Sequence, residues 1–147
     1  MPMFNRGMFH LITGGGGMDW TTADVDYLLV DDTYVFDPDD NFVSDLVADE
    51  LPSANNYARQ NSGTKTITEN DTTDQVEFDD GTDFSITALG PASSGPTVGG
   101  CVAFENSGGA DTANTLINFT DLVNTTINGS DFTIQWATAG VFYSDSP

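Results

Sequence analysis

Carboxylates are the most abundant side chains in this chain that could do chemistry. The 147 residues include 23 Asp and Glu against three Lys and Arg, for a formal net charge of −20. Two carboxylates held about 5–10 Å apart in a cleft can hydrolyse a glycosidic bond. With so many acids some pair meets that distance by chance, so these pairs do not indicate a hydrolase.

The chain has one histidine and one cysteine, His10 and Cys101. A nucleophile needs a base within hydrogen-bond reach and a third group that orients the base. His10 stands in a short apolar segment, which we interpret as a packing strand, and Cys101 stands in an apolar run typical of a buried, inert thiol. We therefore expect no catalytic residue and no enzyme activity.

The acidic run from Asp37 to Asn41 is the best candidate for a metal site, because it begins like a calcium loop. An EF-hand loop then needs Gly at its sixth position and Glu at its twelfth, where this chain has Phe42 and Ala48. We expect no cofactor and favour a capped, solvated acidic turn. Weak calcium binding is the alternative, with four candidate ligands: Asp31, Asp32, Asp37 and Asp39.

The strong negative charge bears on the class of partner. Phosphate binding needs Lys and Arg, so nucleic acid is excluded as a partner. We expect the acidic surface to meet a more basic protein, with salt adaptation as the competing explanation. The three cations, Arg6, Arg59 and Lys65, are so few that each is expected to pair with a specific carboxylate. No segment approaches the ~20 apolar residues that span a membrane.

Short alternating segments separated by turns predict the fold class, which is mainly β. We predict an antiparallel β-sandwich or barrel with one short inserted helix, at about residues 41–50 after the Asp39/Asp40 cap. Asp80-Gly81 predicts a hairpin between strands at 75–79 and 83–89. The segments at 131–137 and 141–144 are predicted to form a closing pair.

The first 17 residues are interpreted as an N-terminal arm with a glycine hinge, and residues 18–147 as a single β-domain. The hinge is the run Gly14 to Gly17. The arm has apolar residues that a short segment cannot bury alone, so we expect residues 1–12 to contact another chain and the domain to fold without them. The predicted partner-binding residues are Met3, Phe4, Met8, Phe9 and, in the acidic turn, Tyr34.

Several motifs follow one another along most of the chain. The segment Asp19 to Arg59 contains DYLLVDDTYVFDPDDNFVSDL, and it is followed by KTIT at 65–68, VEFDD at 76–80, GPTVGG at 95–100 and FTIQW at 132–136. This succession, from about Asn5 to Tyr143, resembles structural proteins of tailed-phage virions, small products of the head and tail gene modules.

The resemblance implies a virion structural protein, most simply a capsid decoration or cement protein on the outer capsid surface. Its partners would be the major capsid protein or other virion proteins, and it would form a homo-oligomer such as a trimer. A head–tail connector or minor tail protein is the alternative within the same class. A carbohydrate-binding host-recognition module is the alternative from another class, with four aromatic residues as stacking platforms: Trp20, Tyr34, Trp136 and Tyr143.

Overall fold

The computed structural model describes residues 3–12, 17–54, 56–72, 75–91, 95–137 and 140–145. The fold is mainly β, its sheets are antiparallel, and it has little helix, as the sequence predicted. The helical elements are α1 (Asn5–Ile12) and a 3₁₀ helix (Val43–Leu46). The strands are β1 (Val25–Asp31), β2 (Gln60–Asn61), β3 (Lys65–Asn70), β4 (Gln75–Asp80), β5 (Phe84–Leu89), β6 (Thr97–Glu105), β7 (Thr115–Thr126), β8 (Ser130–Ile134) and β9 (Phe142–Asp145).

A central four-stranded sheet, in the order β2-β1-β6-β7, carries the core on both of its faces. Alternate residues of β1 enter two different hydrophobic clusters: Tyr27 and Leu29 belong to one, and Leu28 and Val30 to the other. Burial on both faces explains why β1 and β6 are nearly continuous apolar runs. Cys101, on β6, is fully buried, and burial raises the pKa of its thiol.

The first cluster lies between the central sheet and two smaller sheets, β3-β4-β9 and β5-β8. Aromatic contacts join these layers. Tyr27 of β1 stacks on Phe84 of β5 with ring centroids 5.6 Å apart. Within the sheet β3-β4-β9, Phe78 stacks on Phe142 at 4.5 Å, and Trp20 packs edge-on against Phe142. Stacking of sheets across an apolar interior is the arrangement expected of a sandwich.

The second cluster is covered by Phe4, which precedes α1, by the 3₁₀ helix and by the acidic segment that follows β1. The inserted helix is much shorter than the predicted span of residues 41–50. Asp45 accepts hydrogen bonds from the backbone N–H groups of Asn41 and Phe42, which caps a single tight turn. The chain then returns to β1, where the Leu51 N–H donates to the Leu29 carbonyl, so the helix has no room to continue.

Two predicted strand pairings are wrong. β4 pairs with β3 and β9 and not with β5, so Asp80-Gly81 does not connect the two strands of a hairpin. β8 pairs with β5 and not with β9, so the predicted closing pair does not form. The Gly81 N–H donates to the Thr64 carbonyl, and Asp80 is buried against Tyr27. Both contacts turn the chain away from β4 before β5 begins.

Candidate partner-binding surface

Residues 5–12 form a helix that lies directly on β7, and the expectation of a strand around His10 is wrong. The helix forms because one side of the segment faces the sheet. Gly7 allows this contact: a Cβ at that position would lie 2.5 Å from the Leu116 carbonyl oxygen and 2.6 Å from the Ile117 Cα. Only a residue without a side chain allows so close an approach. Residues 13–16, which include three of the four glycines of the hinge, lie outside the described residues.

Phe4 anchors the start of α1 in the core. Its side chain is fully buried in the second cluster, 5.0 Å from the Phe36 ring, and its N–H donates to the Ile117 carbonyl. The prediction that Phe4 binds a partner is therefore wrong, because its apolar surface is already covered by its own domain. Met3, which forms a bridge with Asn118 of β7, is partly buried.

Met8 and Phe9 lie on the outer side of α1. Their side chains are 44% and 63% exposed. Val35, in the segment after β1, is 82% exposed. These two segments meet where the Asn5 N–H donates to the Pro38 carbonyl, at 3.0 Å. We call Met8, Phe9 and Val35 the apolar patch.

Tyr34, which was predicted to bind a partner, is partly buried. Its ring packs edge-on against Phe119, and its hydroxyl donates to Asp40 Oδ2 at 3.1 Å. Partial burial raises the pKa of Tyr34, and it also raises the pKa of Asp40. The side chain that projects from this segment is the neighbouring Val35.

Several acids near Val35 in the sequence accept hydrogen bonds from other residues of the chain. Asp31 accepts from both the N–H and the hydroxyl of Thr33, Asp37 accepts from the Asp39 N–H, and Asp39 accepts from Asn5. The bonds to Asp31 and Asp37 are local side-chain caps of the kind that Asp favours. The bond to Asp39 instead joins two segments that are 34 residues apart in the sequence. Within the described part of the chain, no group of three or more His, Cys, Asp or Glu is placed to hold a metal ion.

Arg59 forms an ion cluster whose members the sequence did not identify. It donates two hydrogen bonds to Glu50, at 2.8 and 2.7 Å, and two to Asp111, at 2.7 and 3.0 Å. The Tyr57 hydroxyl also donates to Glu50. These hydrogen bonds raise the pKa of Arg59 and lower that of Asp111. The cluster ties together three separate segments, so its role is structural.

The expectation that each cation pairs with a specific carboxylate is therefore confirmed for Arg59. The other two cations make contacts of a different kind. The Arg6 guanidinium lies over the Phe42 ring, 4.5 Å from its centroid, and the Lys65 ammonium donates to the Ser62 hydroxyl at 3.0 Å. The scarcity of cations was the only signal in the sequence that pointed to the Arg59 cluster.

A second feature is an acidic cavity of about 320 Å³ beside Trp136. Asp79, Asp80 and Asp83 line it. Asp80 accepts from the Tyr27 hydroxyl and Asp83 from the Trp136 backbone N–H, so two of the three carboxylates already serve the fold. Burial raises the pKa of Asp80.

Comparisons of the chain with protein-family models, curated proteins and solved structures found no match. No helix among the described residues is long and apolar enough to cross a membrane.

Proposed function

We propose that this protein is a non-catalytic structural protein of a virion, a decoration or cement protein that binds between major capsid subunits on the outer surface of the head. The observation that carries the proposal is the apolar patch, because Met8, Phe9 and Val35 are exposed apolar residues on two segments that a backbone hydrogen bond joins. Exposed apolar clusters with a polar rim are typical of protein interfaces. The succession of motifs that resembles virion proteins supports the same conclusion.

The construction of the patch suits a binding role. α1 is fixed at one end by buried Phe4 and held against β7 through Gly7, so Met8 and Phe9 are presented on a rigid element. A rigid anchor loses little conformational entropy on binding, which favours affinity. Many copies of such a site on a shell stabilise it through binding free energy, about 2.7 kcal/mol per site at a hundredfold excess over the dissociation constant.

The charge supports an external position and a basic partner surface. A domain with a net charge of −20 is repelled by packaged nucleic acid. Against a basic capsid surface, the acids that surround the apolar patch speed association and fix orientation. Capsid binding should then weaken as salt concentration rises. Binding that strengthens with salt would favour the salt-adaptation explanation.

Replacing Phe9 with alanine tests the patch. Full burial of a Phe side chain is worth about 1.5–3 kcal/mol, so we expect F9A to bind particles that lack the protein roughly ten- to a hundredfold more weakly than wild type. The measurement is a titration of fluorescently labelled protein onto such particles. F9A should melt at nearly the wild-type temperature, because the side chain is 63% exposed.

Val123→Ala is the matched control for F9A. Val123 is an apolar residue, 89% exposed, on β7 and outside the apolar patch. V123A should bind like wild type. Equal binding by F9A, V123A and wild type would show that the apolar patch is not the capsid-binding surface.

The acidic cavity beside Trp136 favours one second candidate, the carbohydrate-binding module. An aromatic ring bordered by carboxylates is a common arrangement for holding sugars by stacking and hydrogen bonds. Asp83→Asn would then abolish glycan binding while leaving capsid binding intact. The cavity carries less weight than the patch, because Asp80 and Asp83 already have hydrogen-bond partners within the fold.

A further inference from the structure

Strand β3 is an edge of the three-stranded sheet β3-β4-β9. Its six residues all pair with β4, from Lys65 opposite Asp80 to Asn70 opposite Gln75. Within the described ranges, β4 is the only strand that pairs with β3. An edge strand presents backbone N–H and C=O groups that can pair with another chain.

β3 is also exposed on both faces, unlike the buried strands β1 and β6. Thr66, Ile67, Thr68 and Glu69 are all exposed, and Ile67 retains 46% of its surface. Ile67 lies directly across from Phe78, which stacks on buried Phe142. The apolar surface of the core therefore continues outward along this face to Ile67, where no described residue covers it fully.

The sequence of β3 is self-complementary in charge. Residues 65–69 read Lys-Thr-Ile-Thr-Glu, a sequence that is symmetric about Ile67 except that the two ends carry opposite charges. Its net charge is zero, within a chain whose net charge is −20. Lys65, Ile67 and Glu69 lie on one face of the strand, because side chains alternate along a strand.

We infer that β3 pairs antiparallel with β3 of a second copy of this chain, about a twofold axis at Ile67. In that register each Lys65 lies opposite Glu69 of the second copy, and the two Ile67 side chains meet between the two ion pairs. Thr66 lies opposite Thr68 of the second copy on the other face. Opposite charges and apolar pairs directly across an antiparallel ladder stabilise it.

Other uses of this edge fit the residues less well. A parallel pairing in register would place Lys65 on Lys65 and Glu69 on Glu69, which is repulsive. Edge strands are also protected from association by charged residues. Protection works best with charge of one sign, whereas the two opposite charges here sit where antiparallel pairing neutralises both.

The resulting dimer is weak in solution. A five-residue strand pair is small compared with the ~1,000 Å² or more that a stable interface buries, and two copies with net charge −20 repel each other. Copies held close together on a surface have a higher effective concentration, which strengthens such a contact. The inference does not rest on the proposed virion role, and it predicts twofold pairing where the resemblance implied a trimer.

Charge exchange at the two ends of the strand tests the inference. Sedimentation equilibrium at about 0.15 M salt, with protein up to about 1 mM, can measure dimer dissociation constants up to about the millimolar range. K65E and E69K each place like charges opposite one another at both ends, so each should weaken dimerisation roughly tenfold. The double variant K65E/E69K restores both pairs and should dimerise like wild type.

The net charges of the variants distinguish the proposed strand register from general repulsion between two acidic chains. K65E has a net charge of −20 − 2 = −22, E69K has −20 + 2 = −18, and the double variant keeps −20. If general repulsion alone mattered, E69K would dimerise better than wild type because it is less negative. In the proposed register E69K dimerises less well, because Lys65 then faces a lysine of the second copy. An equimolar mixture of K65E and E69K should form heterodimers at least as readily as wild type forms homodimers.

Circular dichroism melting checks that each variant folds. Lys65 of β3 lies opposite Asp80 of β4, so K65E places two acids across from each other within one chain. If K65E does not fold, E69K alone decides whether the change in dimerisation follows the register or the net charge. A wild-type protein that stays monomeric throughout, an E69K that dimerises as well as wild type, or a mixture of folded single variants that shows no rescue would each overturn the inference.

Discussion

Replacing Arg59 with methionine is expected to lower the free energy of unfolding by about 2–3 kcal/mol. The substitution removes four hydrogen bonds and leaves Glu50, whose side chain is only 14% exposed, without its counter-ion. Breaking a buried ion pair in this way costs about 3–5 kcal/mol. Arg59 and Asp111 are 28% and 36% exposed, so solvent screening reduces the expected cost.

Urea denaturation measures this difference, and Lys65→Met at low protein concentration is the matched control. K65M makes the same change of charge and side-chain type at a residue that donates to the Ser62 hydroxyl. It should cost less than about 0.5 kcal/mol, because Lys65 is only partly buried and its hydrogen bond is to a neutral hydroxyl. Equal losses for R59M and K65M would mean that the Arg59 cluster adds nothing specific to stability.

The effect of R59M should depend on pH. Hydrogen bonding to Arg59 lowers the pKa of Asp111 in the folded protein. The resulting stability is complete above the unfolded-state pKa of about 3.9, and it is lost as the pH falls through the lower folded-state value. The difference between wild type and R59M should therefore shrink below about pH 4. A constant difference down to pH 2 would contradict this assignment.

Phe4→Ala is the second substitution with a large expected effect. Removal of a fully buried Phe side chain costs about 3–5 kcal/mol, because transfer free energy is lost and a cavity remains. Phe4 fills the second cluster beside Phe36 and fixes the start of α1. We therefore expect F4A to be strongly destabilised and deletion of residues 1–12 to be at least as harmful, contrary to the expectation from sequence.

Phe9→Ala provides the comparison within the same helix. Both substitutions remove the same atoms, but Phe9 is 63% exposed and Phe4 is fully buried. In thermal melts F4A should lose many degrees and F9A few. If F4A melts like F9A, α1 does not belong to the core of the domain, and the N-terminal segment is a detachable arm after all.

The mainly β class could be predicted from the sequence because the strand segments alternate, or are fully apolar when buried on both faces. β1 and β6 illustrate the two-sided case. Strand partners could not be predicted: Asp80-Gly81 has a hairpin sequence, yet Asp80 is buried against Tyr27 and β4 pairs elsewhere. Local turn preference cannot indicate which distant strand offers the better apolar face.

The predicted partner residues show the same limit. Met3, Phe4, Met8 and Phe9 are all apolar, so their types do not distinguish a core contact from an exposed one. Gly7 was the available signal, because a glycine within an apolar segment suggests a close backbone approach. With Gly7 against β7, the helix has an inner and an outer side, and of the four predicted residues Met8 and Phe9 are the ones placed outward.

The most direct test of the proposed role is the stability of virions that lack this protein. Particles with and without it are heated in parallel, and genome release is followed with a dye that reports exposed DNA. The proposal predicts that deficient particles assemble but release their genome at a lower temperature, and that added wild-type protein restores the complete particle's value while F9A does so poorly. Deficient particles that match complete ones in stability yet fail to attach to cells would contradict the cement role and favour host recognition.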